Sequence, residues 1–199
     1  MPMPMPASPS TDAVDLRLLR QVAANDHTAL TELYRDYHRR VSRFLSRLTR
    51  RNDLIEEVIN DCFWIVWQKA AEFRGDSRVS TWIMGIAYRC ALKALRQDGG
   101  LDTVDDGSPE LEAASVDPQH GRELRDWLDK GLERLNAEQC LTLELAYGSG
   151  HSLEEIATIM QCPVSTVKAR MFHARVKLRN LLPALASTQA SRTGTGEPS

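Results

Sequence analysis

The basic residues towards the carboxyl end of the chain are the side chains whose chemistry is most evident. Residues 163–179 contain five Lys or Arg and one His, and no Asp or Glu. Such a segment attracts phosphate, the dominant electrostatic partner of a nucleic-acid-binding protein. The same charges would also suit the solvated face of an ordinary helix, because cations near a helix C-terminus complement its dipole. The segment alone favours DNA binding but does not establish it.

The elements around this segment predict how its side chains are positioned. Ser152 and Glu155 have the spacing of a capping box, and a short helix follows them as far as Met160. A second helix is predicted after Pro163, with Ser165 as its N-cap. Its inward stripe is predicted to consist of Val167, Met171, Ala174, Leu178 and Leu181. This pattern predicts a helix-turn-helix whose second helix lies in the major groove of DNA.

A helical wheel divides the polar residues of the second helix into two groups. The residues predicted to meet base edges, away from the apolar stripe, are Thr166, Ala169, Arg170 and His173. The residues that lie to the side and are predicted to meet phosphates are Lys168, Arg175 and Arg179. Lys177, about two turns beyond Arg170, is also predicted to meet phosphate.

Length and composition indicate the fold class. At 199 residues the chain is long enough for two compact domains. Ala, Leu and Arg are plentiful, whereas Gly and β-branched runs are sparse, which favours helices. The predicted fold is all-α, with two helical domains joined by a flexible acidic linker.

The formal charge of -2 is unevenly distributed along the chain. Residues 98–121 contain seven acidic residues, no Lys or Arg, and several Gly and Pro, which predicts the linker. The segments on either side, 12–97 and 122–186, are the predicted domains. The ends, 1–11 and 187–199, are rich in Pro, Ser, Thr or Gly and are predicted to be disordered.

Apolar periodicity predicts further helices in both domains. In the first domain we expect a helix capped by Asp12 and ended by Asn25 and Asp26, and three more helices at about 30–48, at about 53–73 and from Ser80 onwards. In the second domain, helices at about 123–135 and 137–147 precede the helix-turn-helix.

The sequence does not indicate a membrane, metal or catalytic site. No apolar run approaches the roughly 20 residues that span a bilayer, and no secretory signal is apparent, so we expect a cytoplasmic protein without membrane insertion. The cysteines have neither zinc nor disulfide spacing and are predicted to be small apolar residues: Cys62, Cys90, Cys140 and Cys162. There is no Gly-rich phosphate loop, HExxH motif or compact His/Asp/Glu cluster. We therefore predict no enzyme, metal or cofactor.

Residues 152–179 resemble region four of the extracytoplasmic-function sigma factors of bacterial RNA polymerase. That region reads the minus-thirty-five promoter element. The resemblance implies that the DNA-binding residues named above, with Ser165, contact this element. The chain departs from the common family pattern at Gln161, Cys162, Ala169 and His173. Ala169 and His173 remove polar groups that could contact bases, so these two changes affect which bases are preferred.

Two stretches of the first domain resemble the same family. Residues 57–63, followed by Val66 and Trp67, are similar to its Asp-x-x-Gln-Glu-x-Phe stretch, which docks on the clamp helices of the polymerase β′ subunit. This implies that core polymerase is bound by Glu57, Asn60, Asp61 and Trp64. The alternative interpretation is an ordinary acidic helix face.

Residues 80–89 resemble the family's Ser-Thr-Trp-Leu-x-x-Ile-Ala-Arg-Asn stretch, which follows the loop that captures an unpaired minus-ten base. The minus-ten residues implied are Arg74, Ser77, Arg78, Trp82, Arg89, Lys93 and Arg96. Cationic side chains beside a polar loop suit capture of a single strand. Trp82 considered alone is more typical of a core aromatic residue.

The resemblance covers about residues 12–97 and 122–185 in the family's order. It implies a sigma factor that binds core polymerase, through the β′ clamp helices and the β flap, directs it to promoter DNA and assists melting. Whether an anti-sigma factor also binds stays open. The alternatives are a helix-turn-helix regulator that does not join polymerase, or a sigma mimic that sequesters a regulator.

Overall fold

The computed structural model describes the backbone of residues 9–97 and 135–193, and the side chains of residues 11–97 and 135–180. Within these ranges every regular element is a helix. This confirms the all-α fold class for the described part of the chain. The predicted linker at 98–121, and the predicted helix at about 123–135 apart from its last residue, lie outside it.

The first domain contains four α-helices and a short 3-10 turn. They are α1 (Pro9–Ala23), α2 (His27–Leu45), α3 (Asn52–Lys69), the turn Ala70–Glu72 and α4 (Val79–Gln97). Between α1 and α2, Asn25 adopts the left-handed conformation with φ 65°. The Asp26 side chain accepts hydrogen bonds from the amides of Thr28 and Ala29 at 2.8 and 3.2 Å. This cap satisfies two amides that have no partner within the first turn of α2.

Some helix boundaries in this domain differ from the prediction. α1 begins at Pro9 and not after Asp12. Proline suits the first turn, where the amide that it lacks would have no helical partner. α3 ends at Lys69 and tightens into the 3-10 turn before Phe73. α4 begins at Val79, one residue earlier than predicted.

The core of the first domain is formed by the apolar stripes of its helices. Eight of its side chains are wholly inaccessible to solvent: Leu33, Val41, Phe44, Ile59, Cys62, Val66, Ile83 and Ala87. Full burial of an aliphatic or aromatic side chain contributes roughly 1.5 to 3 kcal/mol, so these stripes dominate the packing. Burial also raises the pKa of the Cys62 thiol, as expected of a cysteine that acts as a small apolar residue.

The described part of the second domain contains three α-helices. They are α5 (Ala137–Leu143), α6 (Leu153–Met160) and α7 (Val164–Thr193), and a π-helical turn, Glu144–Gly148, follows α5. Capping boxes begin α5, between Asn136 and Gln139, and α6, between Ser152 and Glu155. The second of these confirms the box predicted from the sequence.

The turn between α6 and α7 completes the helix-turn-helix. Gln161 adopts the left-handed conformation with φ 52°, which glycine adopts more readily than a residue with a side chain. α7 begins at Val164, so Ser165 lies in its first turn and is not the N-cap. The reason is that the Pro163 carbonyl already accepts the amide of Thr166 at 2.9 Å, which starts the helix one position earlier.

The ends of α5 and α7 also differ from the prediction. The helix predicted at 137–147 is α-helical only to Leu143 and then widens into the π-helical turn. α7 continues to Thr193, beyond the predicted start of the disordered tail at Ser187. No glycine occurs between residues 151 and 193 to end it. The domain limits themselves stay a prediction.

The two domains pack against each other through α4 and α6. Gly85 lies at this contact: a Cβ at that position would be 3.9 Å from the Cα of Ile159. Buried residues of both domains, among them Met84 and Ile156, belong to one continuous apolar core. Within the second domain, a smaller cluster that includes Cys140 and Ala174 joins α5 to α7.

A buried carboxyl group links α1 to α2. Asp15 is 4% exposed and Tyr37 is 1% exposed, and the Tyr37 hydroxyl donates a hydrogen bond to the Asp15 carboxylate. The guanidinium of Arg40 lies over the Tyr37 ring, 5.4 Å from its centre. Burial raises the pKa of Asp15, although the Tyr37 hydrogen bond and Arg40 oppose this.

The raised pKa of Asp15 predicts a pH dependence of stability. A carboxyl whose pKa is higher in the folded than in the unfolded chain makes folding less favourable as pH rises above its ordinary value of 3.8. Asp15→Asn keeps an acceptor for Tyr37 but cannot ionise. Urea unfolding at mildly acidic and at neutral pH should show the variant gaining stability relative to wild type as pH rises.

Asp76→Asn, in an exposed loop, is the control and should not change the slope. Equal pH slopes for wild type and Asp15→Asn would contradict the prediction.

Candidate protein and nucleic-acid interfaces

The outer face of α3 presents acidic and aromatic side chains. Glu57, Asn60, Asp61 and Trp64 are all exposed, and their three- and four-residue spacing places them on one face. Trp64 is 62% exposed, so its indole lacks the burial that a tryptophan usually finds within its own chain. The structure therefore brings the four predicted polymerase-binding residues together, and we call them the α3 patch.

The second half of α4 presents cations to solvent. Arg89, Lys93 and Arg96 are exposed and follow one another by about one helical turn. Arg74 is exposed in the loop before α4. Residues 77–97 contain no Asp or Glu that could neutralise these charges within the same stretch. Arg89, Lys93 and Arg96 are called the α4 cationic face.

Ser77 and Trp82 are engaged in local packing. The Ser77 hydroxyl donates to the carbonyl of Arg78 at 3.3 Å. Trp82 is half-buried, and its ring packs against Phe73 with ring centres 5.3 Å apart. The interpretation of Trp82 as a core aromatic thus describes its place in this conformation.

Arg78 is held by the second domain. Its guanidinium donates two hydrogen bonds to the Glu155 carboxylate, and the Thr81 hydroxyl donates a third at 2.9 Å. His151 Nδ1 is buried and lies 3.7 Å from the same carboxylate. Burial by itself would raise the pKa of Glu155, but contacts with His151, Arg78, the Ser152 amide and Thr81 hold this pKa far below its ordinary range. Glu155 is therefore a carboxylate at neutral pH.

The side of α7 opposite its buried stripe is open. Val167 and Ala174 are wholly buried and Met171 is 7% exposed, which confirms the inward stripe at these positions. The exposed residues on the other side are Ser165, Lys168, Ala169, Phe172 and His173. This set is called the α7 outer face. Thr166 lies at its edge and is half-buried.

The predicted position of Arg170 on the open face is wrong. Its side chain is 18% exposed, and its Nη2 lies 2.5 Å from Glu138 Oε2. Its Nη1 also lies 3.4 Å from Cys162 Sγ. At 3.6 residues per turn, a residue three positions after Val167 and one before Met171 lies beside the buried stripe. Arg170 therefore joins α7 to α5 and does not project towards a groove.

The cations farther along α7 remain at the surface. Arg175 is exposed and donates a hydrogen bond to the Tyr147 hydroxyl, with its guanidinium 5.7 Å from the centre of that ring. Lys177 and Arg179 are exposed. All three are accessible to a phosphate backbone beside the α7 outer face.

Phe172 is a surface residue that sequence reasoning missed. It is 63% exposed and packs edge-on against His173, with ring centres 5.6 Å apart. An aromatic residue in an amphipathic helix is normally assigned to the core. In the sequence, the position of Phe172 one helical turn after the predicted surface residues Lys168 and Ala169 indicates that its side chain points outwards.

The chain matches models of two protein families. Residues 33–100 match Sigma-70 region 2, and residues 125–178 match Sigma-70, region 4. The ECF RNA polymerase sigma-E factor of Haemophilus influenzae is 32% identical over 186 residues, which cover 86% of this chain and 96% of that protein. The protein of the same name from Escherichia coli K12 is 29% identical over 188 residues, covering 88% and 98%.

Two solved structures have a similar fold. CnrH, solved in complex with the cytosolic domain of CnrY, gives a TM-score of 0.62 at 19% identity and covers 86% of this chain and 98% of its own. The sigma factor RpoE of Bartonella quintana, solved with the anti-sigma factor NepR, gives 0.56 at 24% identity, covering 76% and 97%. Because the 32% identical sigma-E factor of Haemophilus influenzae aligns over 96% of its length and 86% of this chain, the chain belongs to the extracytoplasmic-function (ECF) family of RNA polymerase sigma factors.

Proposed function

We propose that this ECF sigma factor contacts core RNA polymerase with the α3 patch, and promoter DNA with the α4 cationic face and the α7 outer face. As a sigma factor, the chain is a transcription initiation factor and not an enzyme. One observation supports the residue assignment above all. The carboxylates of the α3 patch lie on one helix, whereas the exposed cations of the two proposed DNA-binding surfaces lie on α4 and α7, as a protein that holds polymerase and DNA together requires.

The α3 patch has the chemistry of a protein interface. Its carboxylates, Glu57 and Asp61, can accept charge-assisted hydrogen bonds from Lys or Arg of a partner. Trp64 supplies the large exposed aromatic surface that is enriched at interface centres. By resemblance, the partner surface is formed by the clamp helices of the β′ subunit.

The α4 cationic face has the chemistry of a single-strand binding surface. Cations one turn apart can follow the phosphates of an extended strand, and Arg74 in the adjoining loop adds one more. We assign these residues to the backbone of the minus-ten strand. Ser77, Arg78 and Trp82 join this surface only if their present contacts with the chain are exchanged for contacts with DNA.

The α7 outer face has the chemistry of major-groove recognition. Phe172 and Ala169 present apolar surface suited to a thymine methyl group, while Lys168 and His173 can donate to base acceptors. Ser165 lies near the start of the helix, the part that enters the groove in this type of motif. Arg175 and Lys177 are assigned to phosphates, and Arg170 positions the helix.

We propose that the protein acts in the cytoplasm, where polymerase and promoters meet. None of the helices in the described ranges combines the length and hydropathy needed to cross a membrane.

The α3 patch is tested by charge reversal. Glu57→Lys with Asp61→Lys should weaken binding to core polymerase at least tenfold, because the reversed charges would repel the basic partner residues. Glu32→Lys with Asp36→Lys is the matched control, since this pair is also exposed, also four residues apart and lies on α2. The measurement is a fluorescence titration with core polymerase, beside circular dichroism. Equal affinity of the two double variants would exclude the α3 patch.

The α7 outer face is tested by separating base contacts from phosphate contacts. Phe172→Ala should relax the selected minus-thirty-five sequence at one or two positions, at a cost of about 1 to 3 kcal/mol. Lys177→Ala should weaken binding to all promoters alike and reduce the salt slope by about 1. The measurement is selection of holoenzyme-bound promoters from a randomised element, followed by salt titrations.

Arg170→Ala is the comparison variant in that experiment. Loss of its ion pair with Glu138 should lower the thermal stability of the second domain and leave the selected sequence unchanged. An altered sequence preference with Arg170→Ala, and none with Phe172→Ala, would contradict the proposed orientation of α7.

A further inference from the structure

Tyr147 is a large exposed aromatic residue outside the α3 patch, the α4 cationic face and the α7 outer face. It is 57% exposed and lies in the π-helical turn Glu144–Gly148 that follows α5. The residues before it, Leu145 and Ala146, are buried, so the turn is packed on its inner side. Turns of this kind are rare and are frequently found at functional sites.

Backbone hydrogen bonds hold this turn in place. The amide of Ser149 donates to the carbonyl of Glu144 at 2.9 Å, and the amide of His151 donates to the carbonyl of Leu145 at 2.9 Å. The backbone that carries Tyr147 is therefore fixed. Since a tyrosine has only two side-chain torsions, it loses little conformational entropy when it binds a partner.

Tyr147 is hydrogen-bonded to a cation of α7. The Nη2 of Arg175 donates to the Tyr147 hydroxyl, and the guanidinium lies 5.7 Å from the centre of the ring. The residue before Arg175, Ala174, is wholly buried and belongs to the apolar cluster that joins α7 to α5. Because α5 leads directly into the π-helical turn, the same packing positions both members of the pair.

The hydrogen bonds that this pair can still make select an anion. The Tyr147 oxygen accepts from Arg175, so the hydroxyl proton is left to donate. The guanidinium has five N–H donors and no acceptor, and the bond to Tyr147 uses one of these donors. A ligand that both side chains bind must therefore supply acceptors, and a phosphate supplies several together with the opposite charge.

The pair lies to one side of the α7 outer face. Arg175 follows Phe172 by three residues, which at 3.6 residues per turn turns it away from the direction of Phe172. It also lies beyond the start of the helix, the part that enters the groove in this type of motif. A helix in the major groove has a phosphate strand along each side, so side chains at this position meet the backbone and not base edges.

We propose that Tyr147 and Arg175 form one phosphate-binding site for a strand of the minus-thirty-five duplex. Tyr147 donates its hydroxyl proton to the phosphate and also holds the guanidinium of Arg175 where it binds the same group. An arginine that is already held loses less side-chain freedom on binding, which favours the complex. The inference rests on the role proposed above for the α7 outer face, and it adds Tyr147 and the π-helical turn to that surface.

Tyr147→Phe removes the hydroxyl and preserves the ring. It should weaken binding of the holoenzyme to a promoter duplex about fivefold, as expected for the loss of one hydrogen bond. The salt slope should stay unchanged, because no charge is lost. Arg175→Ala should weaken binding about tenfold and reduce the slope by about 1. Both side chains are exposed, so neither change should alter the thermal stability of the protein or the selected minus-thirty-five sequence.

A double-mutant cycle distinguishes one shared site from two separate contacts. In Arg175→Ala, the further change Tyr147→Phe should weaken binding only about twofold, because the hydroxyl no longer positions a cation. Lys177→Ala is the matched control background, since Lys177 is an exposed cation of the same helix assigned to another phosphate. There the full effect of Tyr147→Phe should persist.

Replacement of single phosphates by uncharged methylphosphonates locates the site on the duplex. One position should weaken binding of wild type, and the same replacement should have a reduced effect on Tyr147→Phe and on Arg175→Ala. Unchanged DNA affinity of Tyr147→Phe, or equal effects in the two backgrounds, would overturn the inference. An altered sequence preference would make Tyr147 a base contact, and lost affinity for core polymerase alone would assign it to a protein interface; either result also overturns the inference.

Failure of the proposed function would give a different result. If the α7 outer face does not read the minus-thirty-five element, Phe172→Ala leaves the selected sequence unchanged, whatever the effect of Tyr147→Phe. If only the inference fails, Phe172→Ala relaxes the selected sequence and Tyr147→Phe binds DNA as wild type does.

Discussion

Helix α4 is buried on two sides, and the arrangement of both domains depends on that burial. Almost every residue from Val79 to Tyr88 is inaccessible to solvent. One side packs on α3, where the Cys62 thiol lies 3.8 Å from the carbonyl of Ile83, and the other packs on α6. Apolar surface on both sides is removed from water only while the domains are together. The cations of α4 lie beyond Tyr88, where neither neighbour covers them.

Charged side chains also pair across the contact between the two domains, and this pairing affects which cations are open to DNA. A chain with a formal charge of -2 has little overall attraction for DNA, so its binding must come from local surfaces. Where the two domains pack, Arg43 and Arg78 face carboxylates of the second domain, and other cations are exposed on α4 and α7. The α3 patch, which we propose contacts polymerase, includes none of the residues of these pairs.

The sequence predicted what depends on periodicity and local capping. It located the buried stripe of α7 at Val167, Met171 and Ala174 and the capping box of Ser152, because these follow from helical spacing alone. It did not predict that Arg78 meets Glu155, or Arg170 meets Glu138, because spacing indicates which side is buried and not which distant residue lies there. Phe172 was missed for a related reason: its exposure depends on packing around α7, not on its residue type.

We propose that this chain directs RNA polymerase to promoters through two DNA-binding surfaces. In vitro transcription of a genomic library by core polymerase, with and without the protein, tests it most directly. We expect discrete transcription starts that require the protein and are preceded by two shared sequence elements at constant spacing. Transcription that is unchanged by the protein, or starts that share no upstream element, would contradict it.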